Sequence, residues 1–281
     1  MKIGKYISHK NLKFRLSVPR ILYLYVFSIA FTSLLSSCEK VIDLELKKAD
    51  PVIVIEASIS NQYENHFVKI SKTIPFDQLS TFNGLKGAQV TLSSSTGLNQ
   101  VFAEIGPGIY RSPRFNGTPG VTYTLRVQAE GKVYSANSTM PYPVVPDSIG
   151  FKTLSFFGES NVYPTVFYKD PPNIQNQYRY ILKINGKAQG DIVFEDRFND
   201  GNSVSDIIIY DGEDDINPGD IVDIEMQCID RNVFKYFFAI SQIGGNGGPP
   251  VAPANPVSNF DNGALGIFNA CTKSSKSVIL K

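Results

Sequence analysis

The sequence predicts a mainly β protein: two β-rich domains, with one short helix in the second. Three observations carry this. Short runs rich in Val, Ile, Thr, Tyr and Phe recur between Gly, Pro and Asn residues. Gly131-Lys132 and Asn185-Gly186 stand between such runs as two-residue hairpin signals, and Asn-Gly readily supplies the positive φ angles of a type I′ turn. A single segment has helical periodicity. This spacing argues for sandwiches or barrels rather than strand–helix–strand units.

The leader precedes that pattern. Residues 1–20 carry six basic side chains and no acid, and Ile21 to Leu35 is uncharged and mostly apolar. That is the order of a secretory signal, and the apolar run is shorter than the roughly 20 residues of a membrane-crossing helix. Small Ser36 and Ser37 then precede Cys38. The arrangement reads as a bacterial lipoprotein signal, with residues 1–37 removed and Cys38 as the lipid attachment site. A permanent helical anchor and a soluble secreted protein are the alternatives. Removal leaves 21 basic against 26 acidic residues, a net charge of about −5. A mildly acidic chain lacks the basic face that nucleic-acid binding needs. The expected membrane contact is therefore the lipid itself.

After Cys38, Val41-Ile42-Asp43-Leu44-Glu45-Leu46-Lys47 alternates apolar and charged residues as a half-buried strand does. A free linker of about three residues, roughly 10 Å when extended, would remain. Further strands are expected at 52–59, 67–73, 89–93, 122–129 and 133–139. The segment Pro141-Tyr142-Pro143-Val144-Val145-Pro146 cannot be helical and tends to polyproline geometry. It divides the chain into domains at 38–143 and 144–281. Beyond it, strands are expected at 149–156, 163–168, 178–184, 191–194, 207–210 and 221–229. The helix follows a cap at Asp230 or Asn232, with Val233, Phe234, Phe237, Phe238, Ile240 and Ile243 at near-helical spacing. Such an aromatic stripe more often packs on a sheet than faces a ligand. Gly244–Asn262 is too long for an ordinary turn and reads as either disordered or a functional surface loop. Gly244, Gly245, Asn246, Pro249 and Pro250 are its candidate ligand or partner residues.

Catalytic patterns are missing. Once the leader is removed, His66 is the sole histidine, and it is expected as an exposed imidazole at a strand end. No Gly-x-Ser-x-Gly, His-Glu-x-x-His, Cys-x-x-Cys or Gly-x-x-x-x-Gly-Lys pattern occurs. The chain is therefore read as a non-enzyme without a cofactor. Asp211, Glu213 and Asp215 are a calcium candidate, but Ile216 and Val222 occupy the glycine and closing-acid positions of an EF-hand. A solvated turn is the plainer reading. Cys228 falls on the core side of the alternating run 222–228. Cys228 and Cys271 either form a disulfide, which an exported compartment permits, or remain separate buried thiols. The chain has no Trp, and its 14 Tyr and 19 Phe are expected to divide between core and loops.

An ordered series of short motifs carries a resemblance. It begins with Cys38-Glu39-Lys40-Val41-Ile42-Asp43-Leu44 and Val52-Ile53-Val54-Ile55-Glu56-Ala57. It continues through Gly87-Ala88-Gln89-Val90-Thr91-Leu92, Pro107-Gly108-Ile109-Tyr110, Asp147-Ser148-Ile149 and Asp170-Pro171-Pro172. It closes with Gly263-Ala264-Leu265-Gly266. The series resembles an uncharacterised Bacteroidota-type outer-membrane lipoprotein family, domain of unknown function 4249. Its first domain is similar to immunoglobulin-like or transthyretin-like β-sandwiches. The resemblance implies a cell-envelope, outer-membrane lipoprotein whose genes often lie beside those of TonB-dependent receptors. It implies no catalytic residues. The resulting expectation is an accessory or substrate-binding partner of a TonB-dependent transporter. A structural or adhesive surface protein is the alternative, and a hydrolase with a carboxylate site a third.

Overall fold

Alternation of apolar and polar side chains sets most of the strands. The structure, a computed structural model, describes residues 50–75, 82–156, 158–197, 199–210, 212, 215–243 and 255–281. The first group of strands is β1 (Ile53–Ser60), β2 (Glu64–Lys72), β3 (Gln89–Ser94), β4 (Asn99–Gly106), β5 (Ile109–Phe115), β6 (Thr122–Ala129) and β7 (Lys132–Thr139). The second is β8 (Ser148–Phe156), β9 (Glu159–Lys169), β10 (Gln177–Ile184), β11 (Lys187–Glu195), β12 (Ser203–Ile207) and β13 (Ile221–Cys228). Helix α1 (Arg231–Ile243) and the long strand β14 (Leu265–Ile279) complete the fold, which is mainly β. Among the described residues, no helix is long and apolar enough to cross a membrane.

The main sheet runs β11-β10-β13-β14-β1-β2-β5-β4-β3-β6-β7, and β12-β9-β8 form a second sheet. Among the described residues, β1 and β14 are the one parallel pair. The first seven strands close as a sandwich over Ile55, Ile59, Ile70, Leu92, Tyr123 and Leu125. A second core gathers Val166, Tyr178, Tyr180, Leu182, Val222 and Met226 between the small sheet and β10–β13. Met140 closes the first core and Val144 enters the second. Phe268 and Ala270 of β14 lie in the first core, while Thr272–Ile279 pairs with β13. One strand is therefore common to both halves, and Ala49–Lys281 holds together as one compact unit.

Several details depart from the sequence expectation. β4, β5 and β14 were not foreseen, and the strand expected at 207–210 lies at 203–207. β5 carries Pro113, which reads as a strand breaker. β14 lacks alternation because Gly266–Thr272 is buried on both faces, by the first core and by Val233 and Phe234 of α1. The β6–β7 turn is Glu130-Gly131, both with positive φ, and Lys132 already belongs to β7. Asn185-Gly186 forms the expected hairpin turn, with φ of 49° and 81°. Gly266 has φ +97°, and a Cβ there would lie 2.1 Å from the Ile55 carbonyl oxygen. Only glycine lets β14 approach β1 so closely.

Candidate functional site

The residues singled out in the sequence do not converge on one place. Cys38 and the 41–47 run lie outside the described residues, as do Asp211, Glu213, Gly244, Gly245, Asn246, Pro249 and Pro250. Asp215 is exposed, and its carbonyl accepts a hydrogen bond from the Asn217 amide. The disulfide alternative is not formed: Cys228 and Cys271 are free and buried. Cys228 faces Thr272 across the β13–β14 register, so Cys271, one residue away, points to the opposite face. Burial pushes the Cys271 thiol up to about 11, and the Cys228 thiol is raised for the same reason.

His66 corrects the expectation of an exposed imidazole. It is buried in phase with Val68 and Ile70, and that alternation was visible in the sequence. Its Nε2 lies 3.0 Å from the Phe115 carbonyl oxygen, and its ring meets Phe115 edge-on. Burial holds its pKa below the usual value. A buried imidazole against a carbonyl is a core group.

Two arrangements remain. The first is a carboxylate cluster at one end of the second core. Ligand oxygens of Asp170, Asp196 and Asp200 lie within 4.8 Å of one another. Three such oxygens could hold a hard cation such as calcium. Each is already engaged: Asp170 accepts from the Tyr178 hydroxyl at 2.7 Å, Asp196 from the Asn199 N–H, and Asp200 from the Asn173 N–H. Burial, and then the charge of Asp170, raise the Asp196 pKa. Nearby, the hydroxyls of Tyr168 and Tyr180 both donate to Asp206 Oδ2. The cluster thus ties the 170–176 and 196–202 loops together.

The second is a groove between α1 and the main sheet. On β1 and β2, Glu56 lies opposite Lys69 and Ser58 opposite Phe67. On β14, Asn269 lies beside Ser58 and Ile267 beside Glu56. Residues two apart share a face, so these side chains rise together. Asp230 starts the helix above them, its Oδ1 accepting the N–H groups of Asn232 and Val233 at 2.8 and 3.0 Å. This is a standard N-cap. Val233 and Phe234 are buried against the sheet, whereas Phe238, Ile240 and Ile243 are exposed. The aromatic stripe is therefore split between packing and surface, and Tyr236, Phe237 and Ile240 wall the groove. Its volume is about 410 Å³.

The floor of the groove is polar. The Arg179 guanidinium lies 4.0 Å from the Phe237 ring centroid. Its Nη1 donates to Gln227 Oε1 at 3.1 Å, and its Nη2 is paired with Asp191. Asn269 donates to the same Gln227 oxygen at 3.5 Å. Arg179 Nε and Asn269 Oδ1 are buried without a hydrogen-bond partner. Such orphans are uncommon in folded proteins, and here two of them share Gln227 as a neighbour. Burial, then the charge of Glu56, raise the Tyr236 hydroxyl pKa. A second depression of about 330 Å³, around Ile181, Asp223 and Ser275, has no aromatic wall. With rings and polar side chains on one concave surface, the α1 groove is the candidate ligand site. Sequence reasoning had no signal for it beyond the helix stripe, because its floor comes from five strands, most of them distant in the chain.

No match is found among curated proteins. A family model matches residues 39–277. That span takes in every described strand except the last two residues of β14, together with the groove, and on it the chain belongs to the family described as Domain of unknown function (DUF4249).

Proposed function

We propose that this protein is a non-enzymatic lipoprotein of the outer membrane that captures a ligand for a TonB-dependent transporter. The observation that carries the reading is the α1 groove, which sets aromatic walls over a polar floor of Glu56, Ser58, Lys69 and Arg179. The leader and Cys38 supply the anchor in this reading, and acyl chains on Cys38 would keep the groove at the bilayer where a transporter sits. Affinity purification of the lipidated protein from mild detergent extracts tests the partnership. Recovery of an outer-membrane receptor is expected, and repeated recovery of none sinks it. The anchor has its own test: Cys38→Ala should abolish fatty-acid labelling and release the protein from membranes.

A further inference from the structure

One end of the first sandwich gathers exposed apolar side chains where the chain enters the fold. We propose that this end rests on the lipid bilayer, with Val52, Phe82 and Ile105 set into the headgroup layer; this rests on the lipid-anchor reading above. The start of β1 lies beside the end of β2, where the Val52 carbonyl accepts the Thr73 N–H at 2.9 Å. On the other side of β2, the Lys72 N–H donates to the Asn83 carbonyl at 3.3 Å and the Ile70 N–H to the Gly108 carbonyl at 2.8 Å. A Cβ on Gly84 would fall 2.9 Å from the Phe82 ring and 2.2 Å from the Pro107 carbonyl oxygen. The ring therefore lies against the β4–β5 turn, and Ile105 stands in the bulge just before that turn. Val52, Phe82 and Ile105 are 37%, 53% and 48% exposed, and Pro51 and Pro107 are exposed with them. Large apolar side chains grouped on one tip mark a contact surface.

The fold and the tether choose lipid as the occupant. β14 runs parallel to β1 from Leu265, beside Val54, to Cys271, beside Ser60, and then continues along β13. The second core therefore lies beyond the Ser60 end, and the Val52 end is a free tip of the compact unit. Residues 39–49 join that tip to Cys38, a span of at most about 40 Å. A lipid on Cys38 holds this tip near the membrane, and a tether that short lets a weak apolar contact persist. The charged residues around the tip are Asp50, Glu104 and Glu130 against Lys72, Lys86 and Lys132, with Lys72 and Glu130 paired. They cancel, so no excess of positive charge is there to attract anionic lipid, and the contact is apolar. Glu56 and Ser58 of the α1 groove then stand about 13–20 Å up β1 from Val52, clear of the lipid.

The test uses the acylated protein in phosphatidylcholine vesicles whose acyl chains carry bromine, a quencher of tryptophan. The chain has no Trp, so Phe82→Trp, Ile105→Trp and Ile279→Trp each report one exposed position. Apolar groups of peripheral proteins reach roughly 5–10 Å into the boundary between headgroups and acyl chains, so emission from Phe82→Trp and Ile105→Trp should fall about twofold. Ile279→Trp, at the far end of β14, should keep the emission it has in unbrominated vesicles. Vesicle-bound protein in which Phe82→Trp and Ile105→Trp are unquenched overturns this inference and leaves the anchor standing. Equal quenching of Ile279→Trp, or quenching that appears only when phosphatidylglycerol is added, does the same. Protein that carries no acyl chain overturns the anchor reading and this inference with it.

Discussion

Removing the Asp230 carboxylate should destabilise the protein by about 2–3 kcal/mol. Its Oδ1 caps α1 through two backbone N–H groups, and losing a cap of this kind costs about 1 kcal/mol. Its Oδ2 accepts a hydrogen bond from the Ser138 hydroxyl on β7, and Ser138 Oγ in turn accepts from the Ala270 N–H of β14. Ser138 is buried, so Asp230→Ala strands its hydroxyl proton, a loss of roughly 1–3 kcal/mol. The upper end is discounted because Asp230 is half-exposed. For a folded unit of this size each kcal/mol moves the melting temperature by about 2–4 °C. The expected drop is therefore about 5–10 °C, read by circular dichroism at neutral pH. Asp230→Asn keeps a good cap and loses the charged bond to Ser138, so it should fall between wild type and Ala. An Ala variant melting within about 1 °C of wild type, or an Asn variant as damaged as Ala, would refute the account of Asp230 as a joint between helix, β7 and β14.

Gly266→Ala should cost about 2 kcal/mol or more, since a Cβ at φ +97° meets the Ile55 carbonyl; a denaturant titration with an unchanged midpoint would contradict this. Phe268, fully buried in the first core, should lose about 3–5 kcal/mol on substitution by Ala, and a loss below 1 kcal/mol would mean the core is misassigned. His66 adds a pH dependence. Its folded pKa is below the unfolded value, so the unfolded chain takes up the proton first. Stability is then full above about pH 6.5 and declines as pH falls below it. His66→Phe should flatten that decline in melts across pH 7 to 5; an equally steep decline would assign it to other groups. Alkylation of Cys228 and Cys271 should occur only in denaturant, and mass spectrometry finding a native Cys228–Cys271 peptide link would overturn the free-thiol description.

Much of the local structure was legible. Asn185-Gly186 fixed its hairpin because both residues tolerate positive φ. Asp230 and Asn232 were the two caps the sequence offered, since short acceptor side chains reach the first free N–H groups, and the structure uses Asp230. Alternation in Ile53–Ser60 and Ile221–Cys228 exposed a buried face in each. The same logic failed for β14, where burial of Gly266–Thr272 on both faces erases the alternation. At His66 a place beside the polar turn at the strand end suggested exposure, whereas its phase with Val68 puts it in the core.

By itself, the sequence determined the β character, the turns, the helix start and the chemistry available, because each depends on residues within a few positions of one another. It also carried the basic-then-apolar run of residues 1–37 and Cys38, on which the membrane anchor is proposed. Only the tertiary structure decided that β14 runs parallel to β1 and links the two cores. Only there do Glu56, Lys69, Arg179 and Asn269 meet beneath α1. Strand register is settled by burial summed over the whole sheet, and no local window of sequence contains that sum.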